Sequence, residues 1–155
     1  SIFFYQTDIG EVAIAADERA VTNVYLRRSE IITDAVVRET GLISEAARQL
    51  QDYLKGGLKH FDLPLAPLGS EFRQRVWEGL LAIPYGETRS YKELAEFIGN
   101  PRAFRAVGQA NHHNPIPNFI PCHRVIGADG KLTGYGSGLP LKARLLDLER
   151  QHRSA

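Results

Sequence analysis

The chain contains 155 residues, of which 43% are hydrophobic and 24% are charged. This length and composition predict one folded domain or two small ones and exclude wholesale disorder. No apolar run approaches the ~18 residues of a membrane span, and residues 1–5 lack the features of a signal peptide. The single cysteine, Cys122, excludes an intramolecular disulfide and any zinc site with two cysteine ligands.

The charges are unevenly distributed, although the formal net charge is only +1. Residues 1–69 contain 7 Lys and Arg against 10 Asp and Glu, whereas residues 70–155 contain 12 against 8. This asymmetry would allow the second half to face a polyanion, but random scatter explains it equally well. The use of one cysteine favours a reducing compartment, and we expect a cytoplasmic location with access to chromosomal DNA.

The first half of the chain predicts a small antiparallel sheet followed by a helix. Short apolar runs separated by polar turns predict strands over residues 2–5, 12–16 and 21–26. An apolar stripe predicts a helix over residues 44–55, which ends at Gly56 and Gly57. Residues 62–69 include two prolines and a glycine, and this composition predicts an extended linker and a domain boundary.

A helix-turn-helix is predicted in the second half. Ser90 and Glu93 form a capping-box pattern that opens a short helix, and Gly99 ends it. Asn100 is predicted to cap the next helix, with Pro101 at its first position. Two short helices joined by a tight turn are typical of DNA-binding proteins, but many enzymes contain a similar pair.

Further elements complete the second half. We predict a helix over residues 70–82, with Leu81 on its apolar face, and a strand-like run over residues 119–126. From Pro140 a final helix is predicted, with an apolar stripe of Leu141, Leu145 and Leu148 and with Glu149 beside it. Together the elements predict an α/β (α+β) protein, with a strand-rich N-terminal domain over residues 1–69 and a mostly helical domain over residues 70–155.

Cys122 is the residue that most directly suggests chemistry. A lone cysteine is more often a small buried hydrophobic residue than a nucleophile, but the positive charge of Arg124 would favour a thiolate. Adjacent residues on a strand point to opposite faces, so we do not expect a direct bond between Cys122 and His123. His123 would act through a water, and Glu149 is a candidate to orient it, although taken alone it is a solvated helix residue.

The residues give no support to a metal or nucleotide cofactor. The spacing of His112, His113, Cys122 and His123 does not match the zinc templates. Walker A, Rossmann glycine and HExxH motifs are also absent.

A series of short motifs in the second half resembles the motifs of a known family. Residues 121–125 read Pro-Cys-His-Arg-Val. The accompanying motifs are Ile-Pro-Tyr-Gly at 83–86, Ser-Tyr at 90–91, Asn-Pro at 100–101, Arg-Ala-Val-Gly at 105–108, Asn-Pro at 114–115 and Leu-Thr-Gly-Tyr at 132–135. In this order they resemble the O6-alkylguanine-DNA alkyltransferase family over about residues 72–149. Residues 1–69 resemble that family's ribonuclease-H-like N-terminal domain only in having strands and then a helix.

The resemblance implies irreversible transfer of the alkyl group of O6-alkylguanine to Cys122, with O4-alkylthymine as a further candidate substrate. Displacement at an sp³ carbon suits a soft thiolate nucleophile. By the same resemblance a water links Cys122 to His123, which Glu149 orients. Asn114 matches the asparagine that ties the helix-turn-helix to the active-site strand. The thioether product is stable, so each molecule is expected to react once.

The resemblance also implies that the target nucleotide is flipped out of the duplex. Tyr91 matches a tyrosine that assists this rotation and donates a hydrogen bond to the flipped guanine, and Arg105 matches an arginine that enters the base stack. Lys92 and Asn100 align with positions that contact the DNA backbone. The expected base pocket and lid comprise Val125, Tyr135, Gly136 and Ser137.

The implied partner is double-stranded DNA with alkylated bases, contacted in the minor groove. We expect no cofactor, no metal, no membrane association and a monomer in solution, with cooperativity on DNA left open. One alternative is an alkyltransferase-like protein, which recognises the lesion without repair and has tryptophan at the cysteine position; Cys122 argues against it. The other is a transcription regulator that uses the helix-turn-helix, which lacks support because no additional regulatory domain is present.

Overall fold

The computed structural model describes residues 1–31, 33–133, 135 and 138–153. Its elements are β1 (Ile2–Thr7), β2 (Gly10–Ala16), β3 (Val21–Tyr25), α1 (Gly41–Leu54), α2 (Glu71–Leu81), β4 (Arg89–Ser90), α3 (Tyr91–Phe97), α4 (Phe104–His112), β5 (Val125–Ile126) and α5 (Leu139–Gln151). This combination confirms the α/β (α+β) fold class. In these ranges, no helix has both the length and the apolar character needed to cross a bilayer.

The chain divides into two compact units. The first comprises Ser1–Leu68 together with Pro115–Phe119, and the second comprises Gly69–Asn114 together with Ile120–Ala155. The segment at 115–119 is therefore part of the first unit, although it lies far along the chain. The sequence pattern did not predict that residues 115–119 belong to the first unit.

The first unit is built on the predicted antiparallel meander, in the order β1-β2-β3. Residues 12–16 of β2 are all buried, so both faces of this strand are covered. α1 packs against β1 and β2. It begins three residues before the predicted start at residue 44, because the Thr40 hydroxyl accepts a hydrogen bond from the Ile43 N–H and caps the helix at Gly41.

In the second unit, α2 starts where the sequence predicts and is fastened to α4. The Ser70 hydroxyl caps it by accepting from the Arg73 N–H. Trp77 is almost fully buried, and its indole N–H donates to the Ala110 carbonyl at 2.9 Å. The expectation that Leu81 lies on the buried face is wrong, because this side chain is 50% exposed. It is one residue beyond the buried Leu80, which turns it about 100° away from the packed side.

The N-terminus of α3 contains the predicted capping box. The Ser90 hydroxyl accepts from the Glu93 N–H at 3.0 Å, and the Glu93 carboxylate accepts from the Ser90 N–H at 2.9 Å. The helix ends before Gly99, whose φ of +83° is a conformation that glycine adopts without steric cost. Local signals therefore delimit the first helix of the helix-turn-helix.

The start of α4 differs from the prediction. Asn100 is not its N-cap and Pro101 is not its first residue, because α4 begins at Phe104 after Ala103, which makes no side-chain cap. The backbone of Asn100 instead ends α3: its N–H donates to the Ala95 carbonyl at 2.9 Å in a Schellman arrangement. Asparagine is common both in caps and in turns, so the local pattern is ambiguous here.

The run over residues 119–126 is not a continuous strand, which corrects the prediction. Cys122–Arg124 form a single 3-10 turn, closed by the Arg124 N–H, which donates to the Pro121 carbonyl at 3.1 Å. Only β5 is extended, and it pairs in parallel with β4. This pairing places the residues after Cys122 alongside the residues that lead into α3. The argument that Cys122 and His123 lie on opposite faces of a strand therefore does not apply.

The buried side of α5 differs from the predicted leucine stripe. Leu141 and Leu148 are only half-buried, whereas Lys142, Leu145, Leu146 and Glu149 are buried. Two ionisable side chains thus face the interior of the second unit. Their polar atoms are satisfied by the partners described below.

Candidate active site around Cys122

Cys122 lies in the 3-10 turn and is only 5% exposed. Its N–H donates to the Ile120 carbonyl at 2.8 Å. Two amide side chains from the end of α4 also reach this turn. The Asn114 amide donates to the Ile120 carbonyl at 2.8 Å, and the Asn111 amide donates to the Cys122 carbonyl at 3.3 Å. Asn114, which the resemblance singles out, thus contacts the backbone just before the turn, and Asn111, which the sequence analysis missed, contacts the turn itself.

A buried ionic network begins at His123, the residue after the cysteine. The His123 Nε2 lies 2.6 Å from a Glu149 carboxylate oxygen, and both side chains are fully buried. Arg124 donates to the two oxygens of the same carboxylate, with Nε at 2.8 Å and Nη2 at 3.0 Å. The Gly86 N–H donates a further bond to Glu149 at 3.0 Å. Glu149 is therefore the centre of this network and not a solvated helix residue.

The network determines the ionisation of both partners. Burial would raise the pKa of Glu149, but the hydrogen bonds and charges of His123 and Arg124 outweigh burial and hold it well below its ordinary value. Burial lowers the pKa of His123, and the opposing effect of Glu149 does not overcome it. An ionised carboxylate can only accept, so Nε2 of His123 donates to Glu149 whether the ring is neutral or charged. In the neutral ring, Nδ1 is then the nitrogen able to accept a proton.

Arg124 is not available to stabilise a thiolate in the way that the sequence suggests. Two of its nitrogens bind Glu149, and a third donates to the Ile83 carbonyl at 2.8 Å. Its positive charge is thus paired with a carboxylate. Arg124 lies only two residues after Cys122 in sequence, and this closeness suggested the wrong partner for its charge.

A further buried cation of this site is Lys142, which sequence reasoning missed. Lys142 is buried, and its ammonium group donates to the Thr133 carbonyl at 2.6 Å. Burial lowers the pKa of Lys142 to about 8, against an opposing effect from negative charge on Cys122. Its spacing of seven residues from Glu149 places the two on one face of α5, and this spacing is the signal that could have identified it.

Tyr91, the first residue of α3, is hydrogen-bonded to Thr133 in the segment that precedes α5. Its hydroxyl donates to the Thr133 carbonyl at 3.1 Å, and the Thr133 hydroxyl lies 3.3 Å from the tyrosine oxygen. The ring lies close to Gly108 of α4, where an added Cβ would be 3.8 Å from it. The Thr133 carbonyl therefore accepts from both Tyr91 and Lys142.

The expected base-pocket residues are described in part. Val125 and Tyr135 are buried. Burial, followed by negative charge on Cys122, raises the pKa of Tyr135 well above its ordinary value. Gly136 and Ser137 lie outside the described residues. Across the part of the chain that the structure describes, no group of three or more His, Cys, Asp or Glu side chains is arranged to hold a metal ion.

The three remaining candidates lie on the surface of the helix-turn-helix. Lys92 is exposed in the first turn of α3, Arg105 is exposed in the first turn of α4, and Asn100 is exposed between the two helices. They are not part of the buried network around Cys122.

Both parts of the chain match family models. Residues 3–67 match the family described as 6-O-methylguanine DNA methyltransferase, ribonuclease-like domain. Residues 71–151 match 6-O-methylguanine DNA methyltransferase, DNA binding domain. The two matches leave only a short interval unassigned between them.

Individual relatives agree with these matches. The methylated-DNA–protein-cysteine methyltransferase of Methanosarcina barkeri is 50% identical over 151 residues, which are 95% of each chain. The constitutive methylated-DNA–protein-cysteine methyltransferase of Bacillus subtilis is 46% identical over 94% of this chain and 92% of its own. The crystal structure of Mycobacterium tuberculosis OGT in complex with DNA superimposes with a TM-score of 0.90 at 46% identity, over 97% of this chain and 93% of that one. The chain therefore belongs to the 6-O-methylguanine DNA methyltransferase family.

Proposed function

We propose that this protein is a single-turnover DNA repair protein that takes the alkyl group of O6-alkylguanine in DNA onto the sulfur of Cys122. The observation that carries the proposal is the buried network of His123, Arg124 and Glu149, which begins at the residue after the cysteine. Burying three ionisable groups is costly, so such networks are concentrated at functional sites. A cysteine that served only to fill the core would not require one.

The proposed reaction forms a carbon–sulfur bond as the bond between the alkyl carbon and guanine O6 breaks. The electron pair of the broken bond stays on the guanine. The thiol proton passes through a water to Nδ1 of His123, and Glu149 stabilises the resulting imidazolium. Tyr91 donates a hydrogen bond to the departing guanine, for which its hydroxyl must exchange the Thr133 carbonyl for the base. The thioether is stable, so each molecule reacts once.

Lys142 supplies the positive charge that favours the thiolate in this proposal. Its ammonium group is buried, and charge on Cys122 acts on it electrostatically. An opposite charge nearby favours the ionised form of an acid. Lys142 thus takes the part that the sequence analysis gave to Arg124.

The proposed partner is double-stranded DNA that contains alkylated bases. The match to a DNA binding domain and the relative solved in complex with DNA support this partner. Arg105, exposed in the first turn of α4, would enter the stack left by the flipped base, while Lys92 and Asn100 would contact the backbone. The small side chains around Arg105 suit a close approach in the minor groove. The protein would act as a monomer and without a cofactor.

The test is intact mass spectrometry after the protein is mixed with duplex DNA that carries one O6-methylguanine. Wild-type protein is expected to gain the mass of one methyl group per molecule, mapped to Cys122, and Cys122→Ala is expected to gain none. The matching experiment with O4-methylthymine defines the second candidate substrate. Tight binding to the lesion without a mass gain would instead identify a recognition protein and would overturn the proposal.

Replacing Arg105 by alanine is expected to slow methyl transfer from duplex DNA about 10- to 100-fold, because the flipped state loses the group that fills the stack. Reaction of Cys122 with iodoacetamide in the absence of DNA should not change. Arg102→Ala is the matched control, since Arg102 is also exposed and lies three residues earlier. Equal losses in the two variants would show that only general charge is involved.

A further inference from the structure

Asn111 is a buried polar residue of α4 that the proposed mechanism does not use. It is 2% exposed, and its amide nitrogen donates to the Cys122 carbonyl at 3.3 Å. A carbonyl can only accept, so this contact determines which end of the amide faces the cysteine. The opposite end, Oδ1, has no hydrogen-bond partner among the residues that the structure describes.

This arrangement contributes little to stability by itself. A buried acceptor without a partner among these residues keeps part of its desolvation cost, whereas an apolar side chain of similar volume avoids that cost. The hydrogen bond to the Cys122 carbonyl is also long, so it contributes little to the stability of the fold. A buried amide that contributes little to stability but contacts the backbone of the reactive residue is typical of functional positions.

The location of Asn111 connects two parts of the proposed machinery. α4 presents Arg105 on its exposed first turn and Asn111 on its buried last turn. Six residues separate them, which is about 9 Å along a helix. Short helices can act as rigid elements that couple two sites, so a displacement of the exposed end of α4 on DNA would reach the amide that contacts the Cys122 carbonyl.

Asn114 supports the same connection from the adjacent turn. Its amide donates to the Ile120 carbonyl at 2.8 Å, two residues before Cys122 along the chain. The two asparagines thus bind carbonyl groups on either side of Pro121. The resemblance assigned a linking role to Asn114 only, whereas the geometry assigns a contact with the reactive residue itself to Asn111.

We propose that Asn111 is a positioning residue that couples the engagement of DNA by α4 to the backbone of Cys122. This inference rests on the proposed function. It assigns to the amide no contact with the substrate and no part in proton transfer. Its effect is to place the cysteine correctly when α4 is bound to a duplex.

The test compares reaction with DNA and reaction without it. In Asn111→Leu and Asn111→Met, two uncharged variants, the rate of methyl transfer from duplex DNA is measured beside the rate of alkylation by iodoacetamide alone. The chain has a single cysteine, so both reactions report on Cys122. We expect transfer from the duplex to fall about tenfold, as misplaced reacting groups do, while alkylation by iodoacetamide stays within about twofold of wild type. The Leu variant should melt at or above the wild-type temperature.

Gln49→Leu is the matched control. Gln49 is a buried amide of the first unit that binds the backbone of Asp62 at both ends, with distances of 3.2 and 2.9 Å. Its loss should lower the melting temperature without changing the ratio of the two rates. This variant shows what a purely structural amide does.

Two outcomes would overturn the inference. The ratio of the two rates could stay at the wild-type value in the Asn111 variants, whether or not both rates fall, or Asn111→Leu could lose cooperative unfolding. The last result would show that the amide serves the fold. Failure of wild-type protein to gain a methyl group is a separate result, because it refutes the proposed function rather than the role of Asn111.

Discussion

Replacing Glu149 by glutamine is expected to slow methyl transfer at least about 100-fold, because His123 loses the carboxylate that orients it and stabilises its charged form. The same change leaves the buried guanidinium of Arg124 opposite a neutral amide. Removing one partner of a buried ion pair costs about 3–5 kcal/mol. In a chain of this size, such a loss lowers the melting temperature by roughly 10 °C.

The pH dependence of stability gives a second measurement on this network. The pKa values of His123 and Glu149 are both lowered in the folded protein. Their contribution is therefore complete above the ordinary histidine pKa of 6.5 and is lost as the pH falls, first as His123 and then as Glu149 takes up a proton. Melting curves between neutral and acid pH should show this loss in wild type and a smaller loss in Glu149→Gln.

The matched control for this prediction is Glu45→Gln. Glu45 also pairs with an arginine, Arg48, at 2.6 Å, but both side chains are largely exposed. Exposed pairs contribute little to stability, so the melting temperature and the transfer rate should stay close to wild type. If Glu149→Gln behaves like Glu45→Gln, the buried network does not support the site.

Replacing Lys142 by methionine is expected to slow methyl transfer at pH 7 about 10- to 100-fold, because the cysteine loses its neighbouring positive charge. The rate of alkylation by iodoacetamide should show the same cause as a shift of its pH profile towards higher pH. The melting temperature should be unchanged or higher. Burial disfavours the charged lysine, whose pKa is lowered to about 8, and methionine has no such cost.

Two further variants make this prediction specific. Lys142→Arg retains the charge and should restore part of the wild-type pH profile. Lys55→Met removes a cation from an exposed position at the end of α1 and should change neither the profile nor the rate. An unchanged pH profile in Lys142→Met would mean that another group stabilises the thiolate.

The amino-acid sequence by itself determined the elements whose signals are local. The antiparallel meander follows from short apolar runs between turns, and the first helix of the helix-turn-helix follows from a capping box and a glycine. The motif around Cys122 is contiguous, so its resemblance to a family is visible without a structure. Local signals also failed where one residue type serves two purposes. Asn100 fits a helix cap equally well, but its backbone completes the end of α3.

The resemblance to a family named His123, Glu149 and Asn114 as partners of the cysteine, and the tertiary structure decided how they bond and which further groups join them. Glu149 is 26 residues from His123 and 25 from Arg124 along the chain, yet it binds both. The closeness of Arg124 to Cys122 in sequence suggested that its charge would stabilise the thiolate. In the structure α5 places Glu149 beside Arg124, and the same helix contributes the buried Lys142. Asn111 reaches the Cys122 carbonyl only because α4 packs over the turn. Charge pairing depends on distance in space. The helical spacing of Lys142 and Glu149 indicates a shared face of α5, but it does not say which groups that face meets.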